Sequence, residues 1–424
     1  MQKEAVLYFM YEIEKRELRA RLTAAKYFLN KGFKVVIFQH LEIYLIALFA
    51  KPGVVFLKSN SNEFDIAISL MSKRGFRIIL FQEEGLHHNY DQISSLTFSK
   101  KSARYVDAYL AWHPADADFA RNNGITESKI KVVGNLRFEL ASKIRKPNYY
   151  ISEKLKLLVI VNFDNTINYV APKKLDNPEI ARSYKEMTEA IKDWSSVEEI
   201  NRNLYQKLLV SKFSEIFEIT LRPYTLSTEN KDYFKNVTLD VRPNILDSIV
   251  NNDIVIHYGS TVSLESILSG RFSILFNSRP ELVDKRIQNC SRVISTIETM
   301  FTLLNEISSN RSLLEKYSKS QLALMESNYE IDFSSTEWLR ECENRISSFT
   351  YTKNWSGIQY NLRLKNLIYY CKIKIKRKVS RSMITKAPEL NYAQLASEMY
   401  LLEMSHETKV RIWFNRKAVT FRKK

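Results

Sequence analysis

The chain has 424 residues, 45% of them hydrophobic and 26% charged, with a formal net charge of +17. That length suits two or three domains, and the apolar share excludes a disordered chain. The charge is uneven: residues 351–424 hold 17 basic and 4 acidic side chains, while the first 350 hold 47 and 43, so a near-neutral body carries a basic tail and a histone-like protein is excluded.

In chain order, Ala5 to Met10 reads as a short buried strand. It is too short for a signal peptide and runs straight into Glu12, Glu14 and Lys15. Glu14 to Asn30 predicts a helix from Leu18, Leu22, Ala25 and Leu29, ended by Gly32. Strands follow at Lys34 to Gln39 and Val54 to Leu57. The longest apolar run, Tyr44 to Ala50, is far below a membrane span, so the chain reads as soluble or peripheral. Asp65 to Lys73 is a helix closed by Gly75, and Phe76 to Phe81, Val106 to Ala111 and Lys131 to Val133 are strands. Such alternation implies a parallel sheet with crossover helices. Asn148 to Lys156 reads as a link. A second alternating half then has strands at Lys156 to Val161, Phe217 to Arg222, Ile254 to His257 and Ser273 to Asn277. Between them, Asn177 to Phe213 is largely helical, and a helix from Ser263 to Leu268 stops at Gly270. Ser334 to Ser347 closes the body as a helix. Two doubly wound α/β halves would face each other across a cleft at the carboxyl ends of their strands, where ligands bind in such folds. The expected domains are 1–150, 151–348 and a tail, 349–424.

In the tail, Leu364, Leu367, Ile368, Cys371, Ile375 and Val379 form one helical stripe flanked by Lys365, Lys372, Lys374, Lys376 and Arg381. That is a basic amphipathic helix, suited to an anionic membrane surface. Val410 to Lys424 adds Trp413, Phe414 and Phe421 among six basic residues. Basic and aromatic residues together also suit nucleic acid, but no such motif accompanies them and the body is nearly neutral. Cys290, Cys342 and Cys371 are too few for a disulfide framework or a cysteine zinc site, and they fit a reducing compartment.

Four stretches carry candidate chemistry. Gln82-Glu83-Glu84-Gly85-Leu86-His87-His88 follows an apolar strand, so Glu83 and Glu84 stand where a base, acid or nucleophile would act. The same stretch also suits a solvated turn. His87-His88 has no further ligands at metal spacing, so no metal is expected. Gly134-Asn135-Leu136-Arg137 makes a tight turn that orients substrate or caps the next helix. Asn162-Phe163-Asp164-Asn165 offers groups to a sugar or nucleotide, or forms an Asx turn. His257-Tyr258-Gly259-Ser260-Thr261 leads from strand to helix. Free N–H groups there, with the Ser260 and Thr261 hydroxyls, would suit a phosphate, and Glu265 would reach a ribose. An ordinary N-cap is the simpler reading of the same residues.

Glu14-Lys15-Arg16-Glu17-Leu18, Gln82-Glu83-Glu84-Gly85, Gly134-Asn135-Leu136-Arg137-Phe138, Asn162-Phe163, Leu221-Arg222-Pro223 and Gly259-Ser260-Thr261 through Gly270 occur in that order. Together they resemble the bacterial surface carbohydrate biosynthesis family of GT-B glycosyltransferases, which includes β-Kdo transferases using CMP-Kdo. The resemblance covers about Ala5 to Asn277. It implies two Rossmann-like domains, a nucleotide-sugar donor on the second and a glycan or glycolipid acceptor on the first. It makes Glu83, Glu84 and, third, Asp164 the candidate catalytic carboxylates. Asn162, Arg222, Tyr224, His257, Gly259, Ser260, Thr261 and Glu265 become the donor site, and Gly85, His87, Asn135 and Arg137 the acceptor side. The sequence departs where relatives read Arg-Pro-His-Pro: Tyr224 stands in place of the His, so a cation is missing beside the donor phosphate. The expected activity is metal-independent sugar transfer at the cytoplasmic face of the inner membrane. The alternatives are a CDP-polyol phosphotransferase or a nucleotide-sugar epimerase of the same fold, and a nucleic-acid-binding protein.

Overall fold

The computed structural model describes residues 5–81, 98–144, 153–161, 199–209, 213–223, 237–240, 242, 244–329, 337–347, 367, 408–413 and 418–423. They form two compact units: residues 1–85, 93–137 and 335–424 make one, and 86–92 with 138–334 the other.

The first unit is built on strands β1 (Val6–Tyr11), β2 (Lys34–Gln39), β3 (Val54–Leu57), β4 (Arg77–Phe81), β5 (Ala108–Ala111) and β6 (Ile130–Val132). All pair in parallel in the order β2-β1-β3-β4-β5-β6, with Tyr11 level with Gln39 and Phe9 level with Phe56. Nearly every residue of β1 to β5 is buried, as expected of strands covered on both faces. The helix Glu14–Asn30 crosses from β1 to β2. It ends where Gly32 takes φ +86°, a conformation that a β-carbon disfavours. The helix Glu337–Ser347 follows the second sheet in sequence and reads there as the close of the second domain. In space it belongs to the first unit: Trp338 packs on Phe56 and Phe81, with centroids 6.2 and 5.7 Å away. Glu343 accepts from Tyr27 at 2.7 Å and from Lys31 at 2.6 Å.

Two further strands join this sheet, and the sequence did not predict them. β13 (Thr408–Trp413) and β14 (Ala418–Lys423) form an antiparallel hairpin, and β14 pairs antiparallel with β2 from Ala418↔Phe38 to Phe421↔Val35. The end of the basic tail therefore covers what would otherwise be an open edge of the sheet. The amphipathic stripe expected between Leu364 and Val379 lies outside the described residues apart from Leu367, which is exposed. Among the described residues no helix is long and apolar enough to cross a membrane.

The second unit contains β7 (Leu155–Val161), β8 (Phe217–Pro223), β9 (Thr238–Leu239), β10 (Ile254–His257), β11 (Phe272–Phe276) and β12 (Arg292–Ile294). All pair in parallel in the order β12-β11-β10-β7-β8-β9. Counted from β7, that is the 3-2-1-4-5-6 order of the dinucleotide-binding fold, read from the other edge. On one face of the sheet, Leu157, Val159, Ile256 and Ile274 share a core with Met300 and Leu304 of the helix Ile297–Ser309. Two parallel sheets flanked by helices, the first extended by an antiparallel hairpin, make the GT-B two-Rossmann-domain architecture; the alternation predicted the two α/β halves, and the family resemblance implied GT-B.

Candidate functional site

In an open parallel sheet a ligand crevice forms outside the strands' carboxyl ends, where the strand order reverses. In the second unit the chain moves from β7 outward to β8 and β9, then returns to β10 on the other side of β7. The reversal therefore lies between β7 and β10, and Tyr258-Gly259-Ser260-Thr261 leaves the end of β10 there. The glycine-bearing turn singled out in sequence stands at this crevice.

The turn is held from beneath. His257 is fully buried, and its Nδ1 accepts from the backbone N–H groups of Gly259 at 3.2 Å and Ser260 at 3.3 Å. Its proton is then on Nε2, which donates to Ser273 Oγ at 3.1 Å. Gln321 fixes Ser273 in turn, accepting from its N–H at 2.9 Å and donating to its carbonyl at 2.7 Å. Burial pushes His257 down to a pKa of about 3, so the ring is neutral at any ordinary pH. Sequence placed His257 among the donor ligands and left the turn's first N–H groups free for an anion. The structure differs on both points, because the imidazole has no exposed atom and takes two of those N–H groups itself. His257 braces the turn from within the unit. Val262 N–H is also engaged, by Ser260 Oγ at 3.3 Å. The partly exposed Ser260 and Thr261 remain on the open side of the turn, whereas Glu265 is buried within the helix Val262–Leu268. Gly259 is required here, since its φ is +130° and a β-carbon would stand 3.0 Å from Val283 Cγ2.

On the other flank of β7, at the end of β8, Arg222 is 6% exposed. Its Nη1 donates to Asp240 Oδ2 at 3.0 Å, to the Arg242 carbonyl at 2.9 Å and to Ser248 Oγ at 2.7 Å. Its Nη2 is buried and has no hydrogen-bond partner among the described residues. Asp240 also accepts from the backbone N–H of Arg242 at 3.1 Å and lies 3.5 Å from the Arg242 guanidinium, which is 42% exposed. Burial alone would raise the Asp240 carboxyl. The Ser248 hydrogen bond and the Arg222 charge outweigh it and hold the carboxyl below its ordinary value. One buried carboxylate thus fixes two guanidinium groups, while the Asp247 carboxylate also acts on Arg222; the donors left toward an anion are Arg222 Nη2 and the half-exposed Arg242 guanidinium. Sequence found Arg222 but missed Asp240, Arg242 and Ser248, which lie 18 or more residues on with no motif to mark them. It also missed Asn277, whose Nδ2 donates to the Tyr258 carbonyl at 2.7 Å and so braces the same turn.

Other expected site residues divide in two. Asn135 and Arg137 are buried in the first unit, and the Asn135 side chain accepts from the Arg137 N–H at 2.9 Å, which is the capping role. Glu83, Glu84, Gly85, His87, Asn162, Asp164 and Tyr224 lie outside the described residues.

No protein-family model matches the chain, and no curated protein matches it. Solved structures do. The wall teichoic acid polymerase TagF superposes with a TM-score of 0.52 at 12% identity, over 82% of this chain and 89% of that one. A structure of the same polymerase soaked with CDPG gives 0.50 at 12% identity, over 82% of this chain and 90% of that one. The S. aureus MnaA–UDP structure gives 0.51 at 9% identity, over 83% of this chain and all of that one (100%). At these identities the likeness establishes the shared fold.

Proposed function

We propose that the chain is a GT-B transferase of bacterial surface-glycan assembly, taking its donor as a nucleotide-activated unit on the second domain. The observation that carries this is the Arg222–Asp240–Arg242 cluster beside β7, together with the braced Gly259-Ser260-Thr261 turn at the reversal. Nucleotide departure builds negative charge on phosphate oxygens, and fixed cations there stabilise it. Arg242 supplies the positive charge that Tyr224 removes from the Arg-Pro-His-Pro position. Arg222 adds the Nη2 donor, which has no partner among the described residues.

Among donors, a CDP-activated polyol or sugar has more support than CMP-Kdo: a TagF structure soaked with CDPG shares the fold, and the likenesses above do not name Kdo. A uridine-nucleotide enzyme is the second reading, favoured by the likeness to the MnaA structure with UDP, and the nucleotide-sugar epimerase expected as an alternative from sequence is its form. In a transfer, the acceptor hydroxyl attacks the donor, its proton passes to a carboxylate, and the nucleotide leaves with the bonding pair. Glu83, Glu84 and Asp164 are the carboxylates proposed from the family resemblance. An acceptor linked to lipid would place the enzyme at the inner face of the membrane, with the basic segment 349–424 against anionic headgroups.

Thermal stabilisation by CMP, CDP and UDP tests the reading. A shift with a cytidine nucleotide supports transfer, a shift with UDP alone supports the epimerase, and no shift with any of them refutes both. Glu83→Gln and Glu84→Gln should each be assayed for transfer; wild-type rates in both would remove the assignment of the base.

A further inference from the structure

His257 holds the turn after β10 from beneath, and a second set of bonds reaches it from a helix that the donor reading does not use. Residues 199–209 are helical. Asn201 and Tyr205 stand one helical turn apart, so they share a face, and both are buried, as are Leu208 and Leu209. The Asn201 carboxamide meets the loop that leaves β11. Its Oδ1 accepts from the backbone N–H of Ser278 at 2.8 Å, and its Nδ2 donates to Asn277 Oδ1 at 3.1 Å. Asn277 is fully buried. Its Oδ1 also accepts from the Arg279 N–H at 2.9 Å, and its Nδ2 donates to the Tyr258 carbonyl at 2.7 Å. Tyr205 works beside it: its hydroxyl donates to the Phe276 carbonyl at 3.1 Å, and its ring stands at 81° to that of Tyr258, with centroids 6.5 Å apart.

The direction of each carboxamide bond is fixed by its neighbours. A backbone N–H can only donate, so the Ser278 and Arg279 N–H groups each require a carboxamide oxygen, and the nitrogens must point onward. A polar chain therefore runs one way, from Asn201 through Asn277 to the Tyr258 carbonyl, and Gly259-Ser260-Thr261 follows directly. A carboxamide on the buried face of a helix is costly unless its bonds are made, whereas an apolar side chain there would carry no such cost. What the carboxamide contributes is a single geometry. It ties the loops after β10 and β11, which leave the same end of two parallel neighbours, to each other and to the helix 199–209.

We infer that Asn201 is a positioning residue of the nucleotide site: acting through Asn277 and the Tyr258 carbonyl, it holds the Gly259-Ser260-Thr261 turn in its binding geometry. The inference rests on the donor function proposed above and adds the helix 199–209 to the parts that shape the site.

The test is calorimetric affinity for CDP, or for UDP if that nucleotide alone stabilises wild type, at a temperature where every chain is folded. Wild type is compared with Asn201→Ala, Asn201→Leu, Asn277→Ala and the double variant Asn201→Ala/Asn277→Ala. Alanine leaves a cavity and leucine refills it, so these two should differ in melting temperature. Both should nevertheless bind the nucleotide about tenfold more weakly than wild type, a change of about 1.4 kcal/mol. The double variant should bind no more weakly than Asn277→Ala, because both residues act through one carbonyl. Leu304→Ala, in the same core, should lower the melting temperature and leave the affinity unchanged. Wild-type affinity in both Asn201 variants, additive losses at Asn201 and Asn277, or an equal loss in Leu304→Ala would each overturn the inference and leave the donor reading standing. A wild type that binds neither nucleotide defeats the donor reading, and this inference falls with it.

Discussion

The substitution His257→Asn tests how the turn after β10 is built. The new carboxamide oxygen can stand near the place of the imidazole Nδ1 and keep an acceptor for the Gly259 and Ser260 N–H groups, while the bond from Nε2 to Ser273 is lost. At pH 7.5 the cost is the ring's packing and one buried hydrogen bond to Ser273, about 1–3 kcal/mol. The acid side separates the variants more sharply. His257 has a folded pKa of about 3 against an ordinary 6.5. Between those values the unfolded chain binds the proton and the folded chain does not, so stability falls as pH falls. From pH 7.5 to 5.0 this single group removes about 2 kcal/mol from the second unit, on about 1.36 kcal/mol per pKa unit. Hydrogen exchange of peptides spanning β10 and β11, corrected for intrinsic rates, reads the opening free energy at each pH. The His257→Asn chain should lose about 2 kcal/mol less than wild type over that range. Equal losses in the two chains would mean that His257 is not buried as a neutral ring, and the relay through Ser273 would be wrong.

Gly259→Ala should cost about 1–3 kcal/mol, from strain at φ +130° and the 3.0 Å approach to Val283. Calorimetry checks it, and an unchanged melting temperature would show a different turn. The buried Lys58 ammonium lies 3.3 Å from the buried Glu17 carboxylate and 2.6 Å from that of Glu12, so Glu17→Gln leaves it with a partly exposed partner and should destabilise by about 3–5 kcal/mol. Because the folded Glu17 pKa lies below its ordinary 4.5, its contribution is present above that pH and lost as pH falls. Melting temperatures of wild type and variant should therefore converge in acid, and a constant gap would contradict the ion-pair account. A chain ending at Glu407 would lack β13 and β14 and leave β2 as an open edge. Light scattering should show it aggregating, and a monodisperse product would count against the hairpin's protective role.

Much of the frame was legible in sequence because local signals agreed. The helices Glu14–Asn30 and Asp65–Lys73 and strands β2, β3 and β10 fall where periodicity and bounding glycines put them, to the residue. The closing hairpin was not legible. Its pairing with β2 spans almost the whole chain, and its cationic residues read more readily as a solvated tail. At the candidate site, Gly259 announced a turn because only backbone geometry explains a glycine there in a chain with 9 glycines among 424 residues. The role of His257 was misread for a physical reason: a histidine at a strand end looks like a ligand until the neighbouring strand is known to carry Ser273 beneath it. Asp240 and Arg242 were invisible because their link to Arg222 is spatial and carries no period. Glu12 and Lys58 likewise meet only when β1 and β3 align.

The claim that a nucleotide-activated donor occupies the second unit at the β7–β10 reversal is tested most directly by a hydrogen-exchange footprint. The full chain is compared with and without CDP, at a concentration that gives the largest thermal shift. Protection should rise in peptides covering residues 254–268 and 237–250, which hold the Gly259-Ser260-Thr261 turn, Asp240 and Arg242. Protection confined to other peptides, or none at all, would contradict the account.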